Sequence, residues 1–235
     1  MTPEMTVGEL VAADFRAAAV LSRFGIDFCC GGKRTLADAC DARRVDPAQV
    51  LREVSAVCQT TAQNAPRFNE WEPQTLIAYI VGNHHGYVRR ALPAIGAYTR
   101  KLAATHGAAH PELLEIEQLF DQVSDEMTSH MAKEEQILFP YIAQLADAAP
   151  RREAIPPAPF GSIDNPIRMM EEEHESAGAV MARIRELSAN YTAPPDGCTT
   201  YRVCFQELQA FEEDLHAHVH LENNVLFPKA KALAS

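Results

Sequence analysis

One stretch occurs twice in this chain, and any fold it adopts has to place both copies. His130-Met-Ala-Lys-Glu134-Glu-Gln-Ile-Leu-Phe-Pro140 returns as His218-Val-His-Leu-Glu222-Asn-Asn-Val-Leu-Phe-Pro228. In each, a His is followed four residues on by a Glu, and a Leu-Phe-Pro closes the run. On a helix, residues four apart lie about one turn apart on the same face. An imidazole and a carboxylate so placed can touch one metal ion, or one ion each of a pair. A single His-x-x-x-Glu fits a solvated face just as well; duplication inside the same apolar frame is what points to metal. Pro140 and Pro228 remove a backbone donor near the ends of their helices and read as a late kink or a helix stop.

The frame around the two copies is helical. The periodicity predicts helices from Pro73 to about Thr105, Pro111 to about Leu145, Ile163 to about Asn190 and Thr199 to about Leu233, with a Pro-Pro-Asp-Gly turn at 194–197. Strand signals are nearly absent. Short links within each helix pair and one longer crossover at 146–162 imply an all-α fold, an antiparallel four-helix bundle over residues 71–235. A small helical domain is expected over 1–60, joined by residues 61–70, which have linker composition. In that domain Thr6 and Glu9 have capping-box spacing, and Ala13 to Phe24 reads as a helix that Gly25 closes. A turn-rich loop follows, Gly25-Ile-Asp-Phe-Cys29-Cys30-Gly31-Gly32-Lys33, before Thr35 and Asp46-Pro47 open further helices.

Charge and cysteine usage narrow the function classes. Acidic residues outnumber basic ones 32 to 21, a formal charge of −11 that repels a phosphate backbone and argues against nucleic acid. No apolar run approaches the ~20 residues of a membrane span, so no membrane partner is expected. The N-terminus, Met1-Thr-Pro-Glu-Met-Thr6, lacks the basic and apolar regions of a secretion signal. Six cysteines without such a signal read as thiols of a cytoplasmic protein. A homodimer is left open by the sequence.

The repeat falls on stripes that point inward. Val123, Met127, His130, Glu134 and Leu138 step by helical spacing on the second helix, as do Phe211, Leu215, His218, Glu222 and Leu226 on the fourth. The third helix offers Met170, His174, Ala177, Met181 and Ile184; the first offers Ile77, Val81, Val88, Leu92 and Ile95, with His84 and His85 between them. Periodicity does not choose between those two histidines. Carboxylates are costly to bury alone, so an inward Glu134 and Glu222 call for a cation. A set of four His and two Glu contains no thiolate and suits a di-iron or di-manganese pair better than structural zinc. Ferritin-like sites use Glu-x-x-His with more carboxylates, a different order and balance. His216 and His220 are placed on the outward face of their helix. Glu126 and Asp214, each one turn before a ligand His, can accept its second ring N–H, and Glu173 beside His174 is a further candidate.

At this point the chain resembles a hemerythrin-type bundle, and more closely the repair-of-iron-centres family of di-iron proteins. The resemblance rests on Gly25-Ile-Asp-Phe-Cys-Cys-Gly-Gly-Lys-Arg-Thr-Leu36, on His130 to Pro140, on Glu173-His174-Glu175, on Ala193-Pro-Pro-Asp-Gly-Cys-Thr-Thr200 and on Leu221 to Pro228, in that order. The family's first ligand is a His seven residues before Leu-Pro, which here selects His85 ahead of Leu92-Pro93. The remaining ligands carry over onto His130, Glu134, His174, His218 and Glu222, and Glu126 and Glu173 match acidic positions near the iron. The resemblance implies two non-haem iron ions per chain, oxo- or hydroxo-bridged. It also implies protection or repair of iron–sulfur clusters damaged by nitrosative or oxidative stress, through iron donation, nitric oxide reduction at the di-iron centre, or both. Damaged iron–sulfur proteins or a cluster-assembly scaffold would be partners, and nitric oxide or oxygen the small ligand. The alternative is a non-enzymatic hemerythrin-like module that binds or senses oxygen or nitric oxide.

Cys29 and Cys30 sit beside Lys33 and Arg34, which can favour a thiolate, and read as a candidate redox or iron-transfer pair. No His precedes residue 84, which argues against a Cys/His zinc site there. Cys40, Cys58, Cys198 and Cys204 read as packing residues. Because every ligand lies beyond residue 84, the bundle is expected to hold metal without the first domain.

Overall fold

The computed structural model describes residues 1–59, 66–151 and 157–234. Residues 61–65 of the expected linker and 152–156 of the expected crossover lie outside the described residues. The secondary structure is helical. Helices α1 (Val7–Ala13), α2 (Ala17–Arg23), α3 (Leu36–Arg43) and α4 (Pro47–Gln59) precede three long composite rods and one single helix. The first rod joins α5 (Pro73–Tyr79) to α6 (Gly86–His106), and the second joins α7 (Glu112–Lys133) to α8 (Phe139–Ala148). Helix α9 (Asp164–Leu187) stands alone, and the last rod joins α10 (Thr199–Leu221) to α11 (Phe227–Leu233). Among the described residues, no helix is long and apolar enough to cross a membrane.

What joins each rod was not visible in the periodicity. Ile80–His85, Glu134–Leu138 and Glu222–Leu226 are π-helical turns. The Gly86 N–H donates to the Val81 carbonyl, Phe139 to Glu134 and Phe227 to Glu222, each five residues back. Such turns insert one extra residue into a helix and concentrate at functional sites. They also explain why Pro140 and Pro228 neither stop nor break their helices, which run on to Ala148 and Leu233. A proline ring clashes with the carbonyl four residues back in a regular α-helix; here it follows directly on a widened turn. On the first rod the inserted residue shifts the phase. Reading back from Val88 gives Val81 and Ile77, but the residues buried are Ile80 and Leu76, and His84 and His85 are both inside. The stripes on the other three helices are buried as expected.

The chain forms two compact units. One comprises Ala78–Tyr141 and Asn165–Leu215, and is an antiparallel four-helix bundle in its own right. Its core is Ile80, Val88, Ile95, Phe120, Val123, Ile167, Met181, Ile184, Phe205 and Phe211, with Phe120 and Phe211 edge to face at 5.6 Å. Charged pairs tie its surface, Arg100 to Asp121 and Arg183 to Glu115, and such exposed pairs contribute little to stability.

The other unit comprises Met1–Ile77, Ile142–Asp164 and His216–Ser235. Thr6 caps α1 in the expected capping box with Glu9, and Thr35 caps α3 through Asp38. The two cap threonines face each other in an isolated antiparallel bridge, Val7 N–H to the Arg34 carbonyl and Leu36 N–H to that of Met5. The helix expected over Ala13 to Phe24 is instead broken at Asp14, whose φ of −153° is extended; its carboxylate binds Arg16, which reaches the Cys58 carbonyl. Gly25, at φ +66°, closes α2 in the left-handed conformation that glycine tolerates. Asp46 opens α4 by accepting from the Ala48 N–H.

This unit corrects one expectation. His220 is only 1% exposed, and its surroundings are Phe28 and Phe15, with ring centroids 5.8 and 6.0 Å away. Phe28 also lies 6.2 Å from the half-buried ring of His216. The face read as outward is covered by the first thirty residues, a contact between segments too distant in sequence for periodicity to reveal. The Asn224 amide completes the junction by donating to the carbonyls of Phe28 and Cys29, at 3.3 and 3.1 Å.

Candidate metal centre

Four of the six predicted ligands lie in the bundle unit. His85, His130, Glu134 and His174 are each no more than 1% exposed. Glu134 Oε2 is 3.3 Å from His85 Nε2 and 3.3 Å from His130 Nε2, and His174 Nε2 is 3.0 Å from His130 Nε2. His130, Glu134 and His174 each place a donor atom within 4.8 Å of the others, a spacing that one ion can span. Glu134 opens the second π-helical turn and His85 closes the first, so the widened backbone sets where both side chains emerge. The second copy of the repeat is in the other unit. There His218 Nε2 and Glu222 Oε1 are 2.9 Å apart, both fully buried, with Glu222 opening the third π-helical turn.

Neighbouring acids fix the rings. His85 Nδ1 meets Glu135 Oε1 at 2.6 Å, and Arg89 donates to the same oxygen at 2.6 Å. Burial pushes the Glu135 carboxyl up, but its bonds to His85 and Arg89 outweigh this and hold it below the usual range. His130 Nδ1 meets Glu173 Oε2 at 2.9 Å, and Lys133 binds the other oxygen. The His130 contact, against some burial and with help from Lys133, brings the Glu173 carboxyl down to about 2. Both acids are therefore ionised acceptors, and each accepts a hydrogen bond from the Nδ1–H of its imidazole.

That assignment tests whether a metal fits. With Nδ1 donating, the Nε2 atoms of His85 and His130 present lone pairs, and both face the same Glu134 oxygen. Acceptors converging in a fully buried site need a positive charge between them. Charging the imidazoles supplies one, but burial disfavours imidazolium, and the desolvation cost runs to several kcal/mol per ion. A metal cation satisfies every donor at once, and imidazole with carboxylate is a borderline-to-hard set suited to iron or manganese. The residues fit the group.

The orienting acids are not those the spacing favoured most. Glu126 accepts from Gln122 and Ser176, while Glu173 takes His130. Asp214 pairs with His84 at 2.9 Å, so His84 is buried but engaged on its own carboxylate. Glu135 was missed; its only sequence signal is that it adjoins a ligand Glu on the turn nearest His85. Orienting contacts of this kind are typically worth 10–100-fold in metal affinity. Glu135→Ala and Glu173→Ala should each weaken metal binding by about that factor, and Glu126→Ala should leave it within about twofold, measured by competition with a chelator.

Cys198 is also not a packing residue. It is exposed, ahead of the first turn of α10. The Tyr201 backbone N–H and the His106 ring stabilise its thiolate and bring its pKa to about 7, while burial pushes Cys204 up to about 12. Iodoacetamide should therefore label Cys198 first, with a rate that rises through a midpoint near pH 7 and is abolished in Cys198→Ser.

The fold and the buried His/Glu sets define a cation-binding bundle of the hemerythrin type, and comparison with known proteins agrees. A hemerythrin HHE cation binding domain matches residues 76–230, and a domain of unknown function called ScdA_N matches residues 3–57. The chain is 31% identical to the iron–sulfur cluster repair protein ScdA of Staphylococcus haemolyticus over 229 residues, covering 97% of this chain and 99% of that one. It is 36% identical to the iron–sulfur cluster repair protein YtfE of Musicola paradisiaca over 235 residues, covering 97% and 96%. With YtfE of Cronobacter sakazakii the identity is 32% over 233 residues, covering 97% of each chain. The chain belongs to the hemerythrin-like ScdA/YtfE family of iron–sulfur cluster repair proteins.

Proposed function

We propose that this protein holds a non-haem di-iron centre on His85, His130, Glu134, His174, His218 and Glu222, and uses it to restore damaged iron–sulfur clusters. The observation that carries the reading is the shared position of Glu134 Oε2 between two imidazole Nε2 atoms, with both rings locked from behind by ionised acids. The names of the relatives support the repair role, and the wholly His/Glu donor set supports iron.

A di-iron pair bound here would supply a redox-active site with open positions for a diatomic such as nitric oxide, and iron that is held less tightly once reduced. The chain's own part is positional. Glu135 and Glu173 accept from Nδ1–H of His85 and His130 and so hold each ring proton on Nδ1, leaving both Nε2 lone pairs available. Glu134 supplies negative charge shared between those two rings. The apolar stripe of Val123, Met127 and Leu138 keeps water from the donors, so the ligands lose nothing to solvent hydrogen bonds. Partners on this reading are damaged iron–sulfur proteins or a cluster-assembly scaffold in the cytoplasm.

The test is reactivation of an iron–sulfur enzyme inactivated by nitric oxide or peroxide. Iron-loaded protein should restore its activity, and protein stripped of metal should not. Reversible oxygen binding with no reactivation would move the assignment to a gas-binding module.

A further inference from the structure

Asp27, Cys29 and Cys30 form a further group of possible metal donors, and each places a donor atom within 4.8 Å of the others. Cys29 Sγ is 4.0 Å from Cys30 Sγ, close to the about 3.8 Å that separates two thiolates on one tetrahedral ion with metal–sulfur bonds near 2.3 Å. Its thiol donates to Asp27 Oδ1 at 3.1 Å, so a proton sits where a cation would bridge sulfur and oxygen.

The loop holding these donors is fixed. Asp27 accepts from the backbone N–H groups of Cys29 and Gly31, both at 2.9 Å, which clamps its carboxylate across the turn. Asn224 holds the carbonyls of Phe28 and Cys29, and it lies two residues beyond Glu222 on the same rod. A Cβ on Gly32 would fall 2.2 Å from Asn224 Oδ1, so only glycine allows this approach. Access is retained on the other side, where Asp27 is exposed and Cys30 half-buried.

We propose that Asp27, Cys29 and Cys30 form a second, mononuclear cation site that takes a thiophilic divalent ion, ferrous iron in the working protein, as cargo on its way to or from the His/Glu centre. The proposal rests on the repair reading for its choice of iron, but the site itself does not. Binding replaces two thiol protons, released to solvent, with two metal–sulfur bonds and one metal–oxygen bond, with no change of oxidation state. Three protein ligands leave a fourth position open, the arrangement of a site that exchanges its ion or ligand, whereas structural sites close all four.

Cobalt(II) tests this on the full-length, iron-loaded protein under reducing conditions, because thiolate ligation gives an intense near-ultraviolet charge-transfer band that His and Glu ligands do not. Wild type should take up one further equivalent of cobalt with that band. Cys30→Ser and Cys29→Ser/Cys30→Ser should lose the band while keeping their iron. Asp27→Asn should weaken cobalt binding about tenfold or more, by analogy with loss of a metal-orienting group, and Cys198→Ser should change nothing. No band in wild type, or a band that survives in the double variant, overturns the proposal. A cobalt band in protein whose His/Glu sets hold no iron would leave this site standing and remove the di-iron reading instead.

Discussion

Protein carrying Glu134→Ala should emerge from iron-replete cells with less than half the iron of wild type. Glu134 Oε2 is equidistant from His85 Nε2 and His130 Nε2, at 3.3 Å from each, so one substitution removes the charge that both rings face. Losing a shared ligand should cost more than the 10–100-fold expected for an orienting acid. Stability should respond in the opposite sense in metal-free protein. There the fully buried carboxyl has no cation beside it, and replacing it with a methyl removes the cost of desolvating it. Loaded wild type should thus melt above the variant, and metal-free wild type at or below it. Calorimetry with and without chelator, beside iron analysis, checks both. Unchanged iron content would remove Glu134 from the ligand set.

Gly32→Ala should destabilise the protein by about 1–3 kcal/mol, the range for forcing one extra carbon into a packed contact. Its Cβ would lie 2.2 Å from Asn224 Oδ1 and 2.7 Å from Cγ. Asn224 can move away only by releasing the carbonyls of Phe28 and Cys29, hydrogen bonds each worth about 1 kcal/mol. The diagnostic is therefore a double-mutant cycle. With Asn224→Ala in place the three nearest atoms are gone, and Gly32→Ala should cost at least about 1 kcal/mol less than in wild type. Urea midpoints for the four proteins decide it, and equal costs in both backgrounds would mean that the loop does not rest on Asn224. The same contacts bear on the expectation that residues beyond 70 bind metal alone. His216–Ser235, which carries two candidate ligands, packs with the first 77 residues, and deleting them would remove Phe28 and Phe15 and expose the ring of His220.

Much of this was legible because helical period and duplication both survive in sequence. The stripes through His130, His174 and His218 each read inward from apolar spacing alone, and all are buried. The capping box at Thr6 and the glycine stop at Gly25 were likewise local. What escaped was whatever depends on backbone hydrogen bonding or on contacts between helices. A π-helical turn leaves no compositional mark, so Ile77 and Val81 were read as inward where Leu76 and Ile80 are buried. The choice of Glu173 over Glu126 for His130 reflects a neighbouring helix, whereas spacing along one helix favoured Glu126. His220 looked outward because its cover, Phe28, lies 192 residues away.

On the proposed reading the repeat register, and not histidine content, specifies the metal centre. Iron content of aerobically purified protein, measured for wild type and for His216→Ala, His218→Ala and His220→Ala, tests it most directly. Wild type should hold about two irons per chain, as a paired carboxylate-bearing bundle site does. His216→Ala and His220→Ala should stay near that value, even if His220→Ala lowers stability by emptying the space beside Phe28 and Phe15. His218→Ala should lose at least one iron. Equal losses from all three, or one zinc and no iron in wild type, would contradict the account.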